Sequence, residues 1–308
     1  MITPKPLYPG ARVALVCASS AVPEDALPSA LETVRALGLE PVPFPSCFAR
    51  NRRGYLAASD DQRAGDVNSA FADPDLEGVF CLRGGYGAHR ILPLLDLKMI
   101  AAHPKYFSGY SDVTALHTAF NQCCRFITYH TVMPSTPCAD LDGFTLGYLR
   151  RALSGALAGP VELPPGAALR LLASGKNGRV AAPLCGGNLS LLAASLGTPW
   201  EIDTRGKLLF LEDVGEKTYR IDAMLTQLRN AGKFGACCGV LLGAWTDCAP
   251  EDPGRTLTLE EIFTDLIVPA GKPVLSGVPC GHVLPTLALP LGGTVLLDAG
   301  ATSLEILP

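Results

Sequence analysis

An α/β fold follows from three features of the 308-residue chain. Its N-terminal part has a parallel sheet covered by helices on both faces; a second α/β domain follows, ending in hairpin strands. Short continuous apolar runs recur, segments of helical spacing separate them, and a Pro/Gly/Ala-rich stretch interrupts the alternation near mid-chain. Continuous apolar runs belong to strands buried on both faces, and the helical segments between them supply the crossovers that parallel strands require.

The elements follow in order. Val13–Ala18 is the first buried strand. Asp25–Leu37 carries Leu27, Leu31 and Val34 at helical spacing, and Gly38 stands where a left-handed cap is wanted. Ser59 with Gln62 is a capping-box pair opening a helix to about Phe71. Gly78–Arg83 is the next buried strand and Lys105–Ser108 a short one before a turn. Asp112–Cys124 reads as a helix and Phe126–Tyr129 as a strand. Between Gly155 and Gly178, Pro160, Pro164 and Pro165 mark a linker. The expected division is an N-terminal domain 1–157, a linker 158–177 and a C-terminal domain 178–308. In the latter, Lys207–Leu211, Gly239–Trp245 and Pro273–Leu275 are strands. Thr218–Ala231 is a helix closed by Gly232, and Thr258 with Glu261 opens another to about Val268. Leu287–Leu291, Gly292–Gly293 and Thr294–Asp298 read as a hairpin, with a last strand near Ser303–Leu307.

Composition narrows the function. With 48% apolar and 18% charged residues, disorder is excluded. A formal charge of −4 and the lack of a Lys/Arg stripe argue against nucleic acid and anionic membranes; the pairs Arg52–Arg53 and Arg150–Arg151 read as solvated faces. The first apolar run is too short for a signal core or a membrane span, and Pro4, Pro6 and Pro9 precede it. The eleven cysteines show no Cys-x-x-Cys spacing, so they read as reduced, mostly buried thiols in the cytoplasm and offer no zinc site.

Four segments carry chemistry. In Lys105–His117 a short strand runs through Gly109 into Ser111 and a helix starts at once. Such a strand–turn–helix lifts a serine hydroxyl above a sheet edge and puts free backbone N–H groups beside it. No second glycine follows two residues later, so the α/β-hydrolase pattern is not met, and a helix-capping serine is the competing reading. In Gly78–Arg90, glycines directly after a buried strand allow close backbone approach. Gly85 and Gly87 have dinucleotide-motif spacing, but Arg90 occupies the third glycine position. An oxyanion hole made by the N–H groups of Gly85 and Asp112 is preferred, with a plain turn as the alternative. Glu212 ends the apolar run Lys207–Leu211 at what would be a sheet's C-terminal edge, while Asp213 and Glu216 read as solvent-facing or capping groups. Among five histidines, His89 and His117 fall in helices, His103 precedes Pro104 and His130 follows a strand. His282, in Pro279-Cys-Gly-His282, sits in an irregular loop after a strand and suits a proton-transfer role near neutral pH.

Together these segments resemble the LD-carboxypeptidases, serine peptidases acting on murein peptides, and their microcin-immunity relatives. The resemblance rests on Arg83–Gly87, Gly109-Tyr-Ser-Asp112, Gly186-Gly-Asn-Leu189, Leu211-Glu-Asp213 with Tyr219-Arg-Ile-Asp222, and Gly281-His282, in the family's order. It implies a smaller C-terminal domain and a triad of Ser111, Glu212 and His282. It also implies Gly85 and Asp112 as oxyanion donors, no metal or cofactor, and a homodimer. The implied reaction removes terminal D-alanine from a murein tetrapeptide; cleavage of aminoacyl-nucleotide conjugates, as in microcin immunity, is the alternative. An exopeptidase must also hold a free carboxylate, for which Arg83, with Gly84 beside it, is the candidate; a structural ion pair is the competing role for Arg83.

Overall fold

The computed structural model describes all residues except 24, 50–54, 251 and 253, so the Arg52–Arg53 pair lies outside the described residues. The chain divides into two compact units, Met1–Leu157 with Pro285–Gly292, and Ala158–Leu284 with Gly293–Pro308.

The first unit is built on strands β1 (Arg12–Val16), β2 (Glu40–Pro43), β3 (Gly78–Cys81), β4 (Tyr106–Gly109) and β5 (Thr128–His130). They lie parallel in the order β5-β4-β3-β1-β2. Val13–Val16 and Gly78–Cys81 are buried throughout, as continuous apolar strands between helical layers should be. The helix Asp60–Ala72 starts where expected, with Ser59 Oγ accepting a hydrogen bond from the Gln62 N–H at 3.2 Å. Phe71, Phe107, Phe120 and Phe126 interlock beneath the sheet, mostly edge-on or tilted. The strand order reverses direction between β1 and β3, the kind of switch point at whose carboxyl ends open α/β sheets hold ligands.

The second unit carries an eight-stranded mixed sheet. Its strands are β6 (Gly159–Pro160), β7 (Arg170–Ser174), β8 (Arg179–Asn188), β9 (Leu208–Val214), β10 (Gly239–Thr246) and β11 (Pro273–Ser276). After β12 (Leu289–Leu291), which belongs to the first unit, β13 (Thr294–Asp298) and β14 (Ser303–Ile306) complete it. β8 to β11 are parallel neighbours, flanked by antiparallel β13, β14 and β6 on one side and β7 on the other. Leu209, Leu211, Val240 and Leu242 face the helices Leu189–Ala194, Thr218–Asn230 and Leu259–Leu266 through Leu192, Leu225, Leu228, Ile262 and Phe263. The Thr258–Glu261 capping box is present in both directions, and Gly232 adopts φ 74° after the Thr218–Asn230 helix.

Three expectations are corrected. Residues 158–177 are not a bare linker, because β6 and β7 pair with β14 and β11. Leu289–Leu291 does not form a hairpin with Thr294–Asp298. It pairs antiparallel with β5, while β13 pairs with β14 and β8. Its three buried residues are apolar on both faces, which suits a sheet position rather than a surface hairpin, and Gly292 at φ 91° turns the chain onward. The segment after Ser111 is also not one helix. It runs as a 3₁₀ turn, six α-helical residues and a π turn ending at Arg125 in the left-handed region.

Candidate active site

In the first unit, Ser111 and the Arg83–Gly87 turn lie beyond the carboxyl ends of β4 and β3. Ser111 follows Tyr110, whose backbone is fully extended, and itself takes φ 65°. A non-glycine residue at positive φ is uncommon, and a serine held there directly after a strand has the backbone of a nucleophile elbow. The capping alternative loses ground, since a cap residue keeps extended backbone and Ser111 does not. Gly84 packs against it so closely that a Cβ there would stand 2.9 Å from both Cβ and Oγ of Ser111. Gly85, at φ 110°, leaves no room for a side chain either, because a Cβ would fall 2.2 Å from Ser20 Oγ.

The turn bearing these glycines is fastened on several sides. Ser20 Oγ accepts from the Tyr86 N–H at 3.2 Å and its own N–H donates to the Gly84 carbonyl at 3.3 Å. Asp112 is buried and accepts from the Ala88 N–H at 2.8 Å, tying the serine turn to the glycine turn. Burial holds the Asp112 carboxyl above its ordinary range, against the pull of that N–H. Among the described residues, neither the Gly85 N–H nor the Asp112 N–H is bonded to a carbonyl or side chain. Arg83 Nη1 donates to the Ala21 carbonyl at 3.0 Å, a backbone contact rather than the ion pair weighed from sequence.

Behind the serine turn, buried His117 places Nε2 2.9 Å from the Gly109 carbonyl, and its Nδ1 has no partner. Desolvation takes its pKa down to about 4, so it is a neutral structural group. His130, buried at the end of β5, has its ring 5.7 Å from that of Tyr110.

The second unit brings Glu212 and His282 together. Glu212, fully buried on β9, lies 2.7 Å through Oε2 from Nδ1 of His282. Burial raises the Glu212 carboxyl above its usual range, and the histidine's hydrogen bond pulls it back. Gly281, at φ 121°, makes the approach possible, since a Cβ there would stand 2.6 Å from Glu212 Oε2. The His282 carbonyl accepts from Thr246 Oγ1 at 2.5 Å, which fixes the loop to the end of β10.

Of the two sequence readings of Asp213, solvent-facing or capping, the structure supports capping. It is buried, not solvent-facing, and accepts from Asn188 Nδ2 at 2.9 Å, Ser190 N–H at 3.0 Å and Ser190 Oγ at 2.7 Å. It thereby locks β9 to the start of the Leu189–Ala194 helix, beside the Glu212 position. Glu216, half-buried just before the Thr218–Asn230 helix, pairs with Arg220 at 2.7 Å. Ser20 and Asp213 were missed as site supports. Ser20 had a signal, a polar residue directly after a buried strand, where α/β sheets place ligand contacts. Asp213 stood in the Leu211-Glu-Asp213 motif, but its burial depends on Asn188 at the end of β8 and Ser190 on the following helix, which the fold brings to it.

A hydroxyl on a left-handed turn, two backbone N–H groups beside it, and a histidine backed by a buried carboxylate are the parts of a serine hydrolase. Sequence comparison takes the assignment further. Residues 13–131 match the LD-carboxypeptidase N-terminal domain and residues 181–297 its C-terminal domain, so the chain belongs to the LD-carboxypeptidase family of peptidases. It is 39% identical over 295 residues to a probable murein peptide carboxypeptidase of Bacillus subtilis, covering 96% of this chain and 91% of that protein. The structure resembles the muramoyltetrapeptide carboxypeptidase of Oxalobacter formigenes, with TM-score 0.84 at 28% identity over 96% of this chain and 99% of that one. The microcin C7 self-immunity protein MccF shares the fold, with TM-score 0.88 at 22% identity over 100% and 99% of the two chains.

Proposed function

We propose that this chain is a serine carboxypeptidase that hydrolyses the L–D peptide bond releasing terminal D-alanine from murein tetrapeptides. The observation that carries the mechanism is the 2.7 Å contact between Nδ1 of His282 and buried Glu212. A carboxylate on Nδ1 fixes the tautomer that keeps Nε2 basic. In this reading His282 takes the proton of Ser111 as Oγ attacks the peptide carbonyl, and the N–H groups of Gly85 and Asp112 hold the oxyanion. His282 then protonates the departing D-alanine amine, and water, activated by the same histidine, hydrolyses the acyl-enzyme. No step calls for a metal or cofactor. Arg83, with one N–H on the Ala21 carbonyl, offers further donors to the terminal carboxylate, with Gly84 beside it leaving space for the peptide.

The names of the murein-directed relatives support this substrate over an aminoacyl-nucleotide conjugate. The free cysteines, most of them buried, suit a cytoplasmic setting, and no helix among the described residues is long and apolar enough to cross a membrane. A homodimer completes the proposal.

Mass spectrometry of murein tri-, tetra- and pentapeptides after incubation tests it. The expected result is conversion of the tetrapeptide alone, with a gain of free D-alanine. Cleavage of an aminoacyl-sulfamoyl adenosine with the tetrapeptide intact would transfer the chain to the microcin-immunity activity. Ser111→Ala should lower turnover by about 10⁴-fold or more while circular dichroism stays unchanged; substantial turnover in that variant would remove Ser111 as nucleophile.

A further inference from the structure

Arg63 is an anomaly of the first unit. It sits in the first turn of the Asp60–Ala72 helix, yet it is fully buried and among the largest enclosed side chains. An enclosed guanidinium is costly unless its donors are met, so its partners reveal what it holds. Nη1 donates to the carbonyls of Ala18, just beyond β1, and of Gly87, at 2.9 Å for the latter. Nη2 donates to Asp60 Oδ1 at 2.5 Å, and Asp60 also receives Arg90 from the following helix at 2.7 Å. Gly87 has the backbone for this approach and no space for another residue. It takes φ 126°, and a Cβ would stand 2.9 Å from Arg63 Nη1 and 2.7 Å from Leu56.

These contacts converge on the turn that carries Gly84 and Gly85. Ser20 grips it at Gly84 and Tyr86, Asp112 at Ala88, and Arg63 at Gly87. Of the three, only Arg63 bridges the turn to the end of β1 through a side chain with two aligned donors. We propose that Arg63, anchored by Asp60, is a positioning residue that fixes the direction of the Gly85 N–H and so sets the strength of the oxyanion hole. The proposal rests on the serine-peptidase reading above. Arg63 touches no substrate; it acts through the Gly87 carbonyl. Lysine cannot reproduce the geometry, because an ammonium is a point donor whereas the planar fork reaches two carbonyls and a carboxylate at once.

Two measurements test this, one of them independent of activity. In Arg63→Lys, assayed well below its melting temperature, kcat should fall on the order of 10- to 100-fold with KM within about twofold, since a small misplacement of a transition-state donor affects the reacting state alone. Asp60→Asn, a milder change at a partly exposed residue, should lower kcat about 3- to 10-fold by the same route. It decides the matter if the lysine variant does not fold. Amide hydrogen exchange at Tyr86 and Ala88 should accelerate at least about tenfold in the same variants relative to the β3 amides, reflecting a loosened turn. A lowered melting temperature with kcat and local exchange unchanged would make Arg63 a structural residue only and overturn the proposal. Loss of kcat without faster exchange would overturn it as well. If the wild type does not cleave murein tetrapeptides, the substrate reading fails, and the exchange comparison still judges the clamp.

Discussion

The two units hold their candidate residues with different materials. In the first unit the candidate groups are arranged by backbone: a serine at φ 65°, glycines at positions 84, 85 and 87, and a turn fastened by its neighbours. In the second unit it is arranged by side chains: a carboxylate 0% exposed, an imidazole against it, and Asp213 with Asn188 bracing the strand end. The first unit should therefore be most vulnerable to added atoms, and the second to changed functional groups.

Substitutions can break this contrast. The largest effect is expected for Glu212→Gln, which retains shape but withdraws the charge that orients and stabilises His282. Turnover should fall by about 10⁴-fold. Folding stability should hold or rise, because burial already pushes this carboxyl toward its neutral form. A chemical denaturation curve beside the steady-state rate checks both. Gly84→Ala is the matching change in the first unit. Its new Cβ would press on Ser111 Oγ from 2.9 Å, so kcat should drop about 10²-fold with little change in KM. A rate near that of the wild type would show that the serine turn yields more easily than its packing implies.

Acid should act on the first unit through His117. The folded pKa of His117, at about 4, lies below its unfolded value of about 6.5. The folded state thus binds fewer protons between these values. Its contribution is complete above about pH 6.5 and is lost as pH falls toward 4, amounting to about 3 kcal/mol. Replacing the residue by leucine should remove that much of the acid sensitivity between pH 7 and 4. Parallel stability–pH curves for the two proteins would contradict the assignment. The smallest effect is expected at Arg83, where methionine should raise KM for the tetrapeptide about tenfold at nearly constant kcat. Unchanged kinetics would leave the guanidinium with its contact to Ala21 alone.

Much of this was legible before any coordinates. Continuous apolar runs such as Val13–Val16 identify doubly covered parallel strands, because burial on both faces leaves no polar alternation. Ser59, Thr258 and Gly232 announced helix ends through local hydrogen bonding and backbone freedom, and those signals need no distant partner. The helices Gly143–Leu153 and Leu189–Ala194 went unread: the first follows a Pro- and Asp-rich stretch, and the second is a short apolar run that resembles a strand.

Ser111, Gly85, Glu212 and His282 could be singled out because each lies near a strand end or a glycine and because their motifs, in order, resemble those of the LD-carboxypeptidases. The sequence by itself determined the kinds of element, their order and the chemical groups at strand ends, since these depend on neighbours within a few residues. Tertiary structure decided that Leu289–Leu291 pairs with β5, that Asp213 is enclosed by Asn188 and Ser190, and that Arg63 reaches Ala18 and Gly87. Each depends on a partner distant along the chain, and burial of a charge is determined by what closes over it rather than by what precedes it.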